Sequence, residues 1–195
     1  LFDTFTTKET AFDDWLAPIE LSFPTIENQR WNSELIAIHK NQEGSNNEEA
    51  IKDNLIDFDG YASFAKERTG TDFLGVLKMD VDSLGNLFGN CKSNDEFAAL
   101  SGFFNEFFGK KNIENLLAQK LPGNHDRDWT FHQNIYTVFA GGDDCFFIGS
   151  WDAILPFAQI IRSEFINQVK EKLKRTDITL SAGIVLLDSK TPVVQ

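Results

Sequence analysis

The sequence predicts an α+β domain with the element order β-α-β-β-α-β, the ferredoxin-like split arrangement. Two short runs of β-branched and aromatic residues, 135–140 and 145–148, flank the glycine pair at 141–142 and predict a β-hairpin. A near-continuous apolar run at 73–79 predicts the first strand, and residues 178–187 are expected to form the last one. In this arrangement the first strand and the hairpin are neighbours at the centre of the sheet.

Helices are predicted between these strands because apolar residues recur at spacings of three and four. One such stripe, rich in phenylalanine, follows the cap-like residues 93–96, and another runs through 154–173. A shorter helix over 58–68 leads into the first strand, and residues 87–88 suggest one further helical turn. We interpret the aromatic stripe as core that packs against the sheet.

The chain divides into two regions at a polar, low-complexity stretch, 40–49, that is typical of an exposed loop or linker. We expect residues 1–57 to be the tail of a preceding domain with its linker, and residues 58–195 to form the main domain. Because the only methionine is Met79 and the chain starts at Leu1, we expect a piece of a longer polypeptide.

The net charge of −12 argues against broad, non-specific binding of nucleic acid, which depends on neutralising phosphates. No apolar run is long enough to span a membrane, and no leader opens the chain. Cys91 and Cys145 are isolated, which argues against a disulfide framework or a zinc site. His125 and Asp126 lie in a polar loop, and we interpret them as loop residues rather than as a metal site. A cytoplasmic protein without membrane contact is expected.

Four aspartates come at the ends of predicted strands that should be neighbours. Asp80 and Asp82 follow the first strand, and Asp143 and Asp144 lie at the tip of the hairpin. Either pair alone is compatible with a solvated turn, but together they predict one acidic cleft. Carboxylates suit Mg²⁺ or Mn²⁺, and two such ions about 4 Å apart can support phosphoryl or nucleotidyl transfer.

Residues 74–85, 139–144 and 180–185 together resemble a Palm domain. The match is to the large subunit of type III CRISPR effector complexes, of the Csm/Cmr type, and specifically to its second, GGDD-bearing Palm. The resemblance covers about residues 60–195. More distantly the chain is similar to GGDEF diguanylate cyclases and class III nucleotidyl cyclases.

Four further positions bear on this resemblance. Trp151 and Asp152 after the hairpin, and Pro192 after the last strand, also fit the CRISPR subunit. In those cyclases the corresponding hairpin ends in Glu-Phe or Asp-Glu-Phe, whereas Cys145 follows the acids here. That departure favours the CRISPR subunit.

The resemblance implies that ATP is the substrate and that the product is a 3′–5′ cyclic oligoadenylate, a second messenger in antiviral defence. It implies Asp143 and Asp144 as catalytic residues. The metal ligands for Mg²⁺ or Mn²⁺ are then Asp80, Val81 (through its carbonyl), Asp143 and Asp144. The nucleotide-binding residues are Asp82, Ser83, Leu84, Gly85, Gly141 and Gly142. Asp82 has an alternative role in orienting the loop, and Lys190 is the nearest basic candidate for the triphosphate.

The implied partners are ATP, the first Palm domain of the same subunit, and other type III effector subunits with guide RNA and target RNA. One Palm holds one nucleotide and the reaction needs two, so the chain is expected to contain half of a catalytic pair. Two alternatives stay open. One is a stand-alone homodimeric nucleotidyl or diguanylate cyclase, and the other is a catalytically silent scaffold Palm.

Overall fold

The computed structural model describes residues 56–123 and 127–190. Its strands are β1 (Phe73–Val81), β2 (Ile135–Gly141), β3 (Asp144–Ser150) and β4 (Leu180–Asp188). Its helices are α1 (Phe58–Thr69), α2 (Leu84–Gly89), α3 (Asn94–Phe107), α4 (Lys110–Leu117) and α5 (Trp151–Gln168). A 3₁₀ turn, Phe131–Gln133, precedes β2, and a π-helical turn, Val169–Leu173, extends α5.

The four strands form one antiparallel sheet in the order β2-β3-β1-β4. This order confirms the ferredoxin-like split, with β1 in the centre between β3 and β4. Leu77 lies opposite Phe147 on β3 and opposite Ile184 on β4. The hairpin and the first strand are therefore direct neighbours, as the sequence predicts.

The turn between β2 and β3 consists of two residues, Gly142 and Asp143, because Gly141 already pairs with Asp144. Gly142 has a φ of 63°, in the left-handed region that glycine adopts without steric cost. A glycine at the first central position, followed by a residue of negative φ, is typical of a type II′ hairpin turn. The second glycine is thus required by the backbone of the turn.

The helical layer covers one face of β1 and β3, on which α1 and α5 both pack. Gly75 allows α5 to approach β1 closely, since a Cβ there would lie 2.8 Å from the Cβ of Ile154. Phe165 of α5 is the centre of an aromatic cluster. Its ring lies 5.0–6.5 Å from the rings of Phe103, Phe104, Phe107 and Phe108. The predicted aromatic stripe is therefore core.

Helix α1 is joined to the sheet domain by polar as well as apolar contacts. The Asp57 side chain accepts a hydrogen bond from the Gly60 amide and caps its start. Near its end, Arg68 forms two hydrogen bonds with Asp152 at the start of α5. The same guanidinium lies 4.8 Å from the ring centre of Trp129.

Two elements differ from the sequence prediction. Helix α4 was not expected, because its eight residues hold only a short apolar face of Ile113, Leu116 and Leu117. The last strand begins at Leu180 rather than at residue 178, since Ile178 is buried in the core before the strand starts.

Some predictions fall on residues outside the described ranges. They concern residues 1–55 of the predicted tail over 1–57, the loop residues His125 and Asp126, and Pro192. Within the described ranges, no helix combines the length and the apolar character that crossing a bilayer requires.

Candidate active site at the end of the central strands

The acidic residues of β1 and of the hairpin meet at one end of the sheet. Asp80 on β1 lies directly opposite Asp144 on β3. The Val81 amide donates a hydrogen bond of 3.1 Å to the carbonyl oxygen of Asp143 in the turn. The pairing of β1 with β3 thus brings together Asp80, Val81, Asp143 and Asp144.

Asp80 and Asp144 lie on the face of the sheet that is opposite α5. Along β1, Leu77, Met79 and Val81 are buried, whereas Lys78 and Asp80 are exposed. Gly75, which contacts α5, belongs to the buried set. Alternation along a strand therefore places Asp80 and its opposite neighbour Asp144 on the open face.

Electrostatic repulsion is concentrated at the turn. The pKa of the Asp143 carboxyl is raised, first because the group is partly buried and then because of the negative charges of Asp80 and Asp144. Lys78 acts in the opposite direction. Its Nζ lies 3.6 Å from Oδ2 of Asp144. A bound cation would relieve the same repulsion.

Lys78 was not identified from the sequence as a member of this site. The available signal was its spacing, because a residue two positions before Asp80 on a strand shares the face of Asp80. Lys78 lies much nearer the acidic residues in the sheet register than Lys190, which follows the far end of β4.

The acidic residues suit a divalent cation that is shared with a substrate. Among the described residues, no three His, Cys, Asp or Glu side chains converge closely enough to enclose a metal ion. Mg²⁺ is commonly held by one or two carboxylates together with substrate phosphates and water. Asp80 and Asp144 on facing strands, with Asp143 beside them, fit a metal shared with a substrate rather than a closed protein site.

Asp82 is directed to β4. Its two carboxylate oxygens accept hydrogen bonds from Thr179 Oγ1 and Ser181 Oγ, both at 2.5 Å. These bonds, Ser181 first, lower the pKa of the Asp82 carboxyl. Its amide donates to the Thr179 carbonyl oxygen at 2.9 Å. In contrast to the sequence expectation for the amides of this loop, the Asp82 amide is engaged in a hydrogen bond within the protein.

The rest of the loop after β1 leads into the short helix α2. Ser83 has a left-handed backbone, with φ 56° and ψ 34°, and is the N-cap residue. The amides of Asn86 and Leu87 donate to its carbonyl oxygen. The earlier amides, of Leu84 and Gly85, belong to the first turn, where an α-helix has no internal acceptors.

The two glycines of the hairpin differ in their surroundings. Gly141 is the last residue of β2 and pairs with Asp144. At Gly142, a Cβ would meet no heavy atom within 4 Å. The turn therefore has open space beside it, in which a ligand can approach the backbone.

Comparison with known proteins assigns the chain to a family. The family model described as Cas10/Cmr2, second palm domain, matches residues 73–195. A relative from Methanocaldococcus jannaschii is named CRISPR system single-strand-specific deoxyribonuclease Cas10/Csm1 (subtype III-A). It is 41% identical over 140 residues, which are 70% of this chain and 17% of the relative.

Solved structures of Csm1–Csm4 cassettes are also similar. One in complex with AMPPNP is 36% identical with a TM-score of 0.55, covering 68% of this chain and 19% of that chain. Another, in complex with one ATP, has the same identity, TM-score and coverage. A third, in complex with cA3, is 34% identical with a TM-score of 0.54 and the same coverage.

The match confirms the resemblance that the strand and hairpin motifs indicated. It includes all four strands and all four aspartates of the site. The chain spans about a sixth of the length of the curated relative. This chain belongs to the family of the second palm domain of Cas10/Cmr2.

Proposed function

We propose that this chain is one nucleotide-binding half of a site that joins ATP into cyclic oligoadenylates in type III CRISPR defence. The observation that carries the proposal is the placement of Asp80 opposite Asp144, beside Asp143, on the open face of the sheet. The ligands of the similar cassettes, AMPPNP, ATP and cA3, support adenine nucleotides as substrate and product.

The reaction is a nucleotidyl transfer. The 3′-hydroxyl of one ATP attacks the α-phosphorus of another, a 3′–5′ phosphodiester forms, pyrophosphate leaves, and the hydroxyl proton is released. Asp80, Asp143 and Asp144 would hold Mg²⁺ or Mn²⁺ together with the phosphates, with the Val81 carbonyl as a further ligand. When bound, the metal stabilises negative charge that develops on the phosphate and the leaving group.

The other residues of the site bind and orient the nucleotide. The amides of Leu84 and Gly85, with Ser83 before them, are assigned to the phosphates, and Gly141 and Gly142 allow a nucleotide to approach the turn. Lys78 balances part of the acidic charge beside Asp144.

A second domain is needed to align the acceptor nucleotide. The acid-bearing face of β1 is exposed in the described part of the chain. We assign this face to the first Palm domain of the same subunit, with guide RNA and target RNA bound elsewhere in the complex. The similar structures are assemblies with Csm4, which supports other type III subunits as partners. The deoxyribonuclease activity in the relative's name belongs to that whole protein and is assigned to no residue here.

The test is the double variant Asp143→Ala/Asp144→Ala in the full-length subunit within its assembled complex. Oligoadenylate synthesis from ATP with target RNA bound should fall to background, because the metal loses two ligands. Assembly, followed by size-exclusion chromatography, should not change. The exposed Asp128→Ala is the matched control and should keep the parent rate. Synthesis near the parent rate in the double variant would refute the assignment.

The same assay separates the alternatives. A diguanylate cyclase would consume GTP in place of ATP. A silent scaffold would neither consume ATP nor bind Mn²⁺ with ATP at millimolar concentration.

A further inference from the structure

We propose that Asp82 is a positioning residue, whose carboxylate fastens the loop after β1 to the start of β4. This inference rests on the proposed function and concerns the same site. It separates Asp82 from the other three aspartates, which we assign to the metal.

Three hydrogen bonds make this fastening. Thr179 Oγ1 donates to one carboxylate oxygen and Ser181 Oγ to the other, each at 2.5 Å. The Asp82 amide donates to the Thr179 carbonyl oxygen at 2.9 Å, which continues the β1–β4 pairing by one residue. Asp82 is thereby held by both its backbone and its side chain.

The hydrogen bonds of Asp82 lie between the end of β1 and the start of α2, the two segments that form the site. Ser181 lies opposite Asp80 in the sheet register, yet its hydroxyl bonds to Asp82. The next residue, Ser83, has the left-handed backbone from which α2 starts. Fixing Asp82 therefore fixes both the end of β1, which carries Asp80, and the direction in which the phosphate-facing amides leave the strand.

The sheet register supports the separation of Asp82 from the other three aspartates. Asp80 lies opposite Asp144 on β3, and Asp143 is the turn residue that precedes Asp144. Asp82 instead meets two neutral hydroxyl donors. A carboxylate that accepts a hydrogen bond at each oxygen cannot rotate freely and is held in one orientation.

The competing role for Asp82 is that of a metal ligand, and different substitutions separate the two. Asp82→Asn keeps a planar group that can bond to both hydroxyls, since a hydroxyl also accepts, but it removes the carboxylate charge. Thr179→Val combined with Ser181→Ala removes both donors and leaves the carboxylate intact. The exposed Thr176→Val is the matched control.

The experiment measures kcat and KM for ATP in the full-length subunit within its complex, with Mn²⁺ present. We expect Asp82→Ala and the Thr179→Val/Ser181→Ala variant each to lower kcat by about tenfold to a hundredfold, because small misplacements of reacting groups are costly. Their combination should be no worse than either alone, since both remove the same fastening. Asp82→Asn should stay within a few-fold of the parent, as should Thr176→Val.

The opposite pattern would overturn the inference. If Asp82→Asn is as impaired as Asp82→Ala while Thr179→Val/Ser181→Ala keeps the parent kcat, Asp82 is a metal ligand and not a fastening.

Amide hydrogen exchange in the same complexes provides a measurement that is independent of activity. Loss of the fastening should accelerate exchange over residues 82–87 in Asp82→Ala and in the Thr179→Val/Ser181→Ala variant, but not in Asp82→Asn. If the parent complex makes no oligoadenylate, the proposed function fails, and the exchange pattern still decides the fastening. Unchanged exchange in all variants would overturn it.

Discussion

Replacing Arg68 with methionine is expected to destabilise the domain by about 3–5 kcal/mol, the usual cost of removing one partner of a buried ion pair. The Arg68 side chain is 2% exposed and that of Asp152 is 12% exposed. The two hydrogen bonds between them measure 2.7 and 2.8 Å. Without the guanidinium, the Asp152 carboxylate is left nearly buried and without its partner.

The magnitude follows from these contacts. Hydrogen bonds to charged groups contribute about 1.5–3 kcal/mol each. The guanidinium also lies 4.8 Å from the ring centre of Trp129, a cation–π contact of about 1–2 kcal/mol when desolvated. Desolvation of the pair offsets part of this sum, and Arg68 Nη1 is buried with no hydrogen-bond partner in the described part of the chain. The net cost therefore stays near the range for a buried pair.

The assay is urea denaturation of the 195-residue chain as a double-mutant cycle. It compares Arg68→Met, Asp152→Asn and the double variant, and the coupling energy should be about 1–3 kcal/mol. Arg162→Met, at an exposed position of α5, is the matched control and should lie within about 0.5 kcal/mol of the parent.

A loss for Arg68→Met no larger than that of the control would show that the ion pair with Asp152 does not stabilise the domain. The result also bears on the domain boundary. Helix α1 precedes the matched range, 73–195, so a large coupling energy would support a folding unit that begins near residue 58.

Three further predictions concern the candidate site. Mn²⁺ and ATP together, at saturating concentrations, should raise the thermal midpoint of the chain. A ligand at 100 times its Kd adds about 2.7 kcal/mol to the free energy of unfolding. An unchanged melting curve would count against the site. Asp143→Asn should stabilise the chain at neutral pH. The pKa of Asp143 is raised in the folded state, so ionising this carboxyl lowers the free energy of unfolding. The loss grows as the pH rises from the pKa of the unfolded state to that of the folded state. The advantage of the variant should vanish below the unfolded pKa, and urea titrations across pH that show no such trend would contradict the sign. The chain alone should make little oligoadenylate from radiolabelled ATP, and joining the first Palm domain to it should restore synthesis by aligning the acceptor. Robust synthesis that rises steeply with the concentration of the chain alone would instead favour the homodimeric cyclase.

Much of the fold was predictable because its signals are local. Two glycines between short β-branched and aromatic runs are sufficient to indicate a hairpin, and the left-handed backbone of Gly142 is the physical reason for that signal. The phenylalanine stripe indicated a buried helix face, which the cluster around Phe165 confirms. Helix α4 was missed because eight residues contain too few turns to show a period.

The acidic cluster was predictable for a related reason. Asp80, Asp143 and Asp144 each stand at the end of a strand, and the strand order of the ferredoxin-like split makes those ends neighbours. Element order along the chain was therefore enough to predict an acidic cleft. The same reasoning placed Asp82 in that cleft, whereas its carboxylate bonds to Thr179 and Ser181.

The element order, the hairpin and the meeting of Asp80, Asp143 and Asp144 follow from local patterns along the chain. The bonding partners of Asp82 and Lys78 depend instead on tertiary contacts. Asp82 stands two residues from Asp80, yet its hydrogen bonds are with Thr179 and Ser181, almost a hundred residues further along the chain. Lys78 acquires its place beside Asp144 only through the pairing of β1 with β3. Hydrogen bonds and charge interactions act over a few ångströms in space, and the fold alone determines which distant residues come within that range.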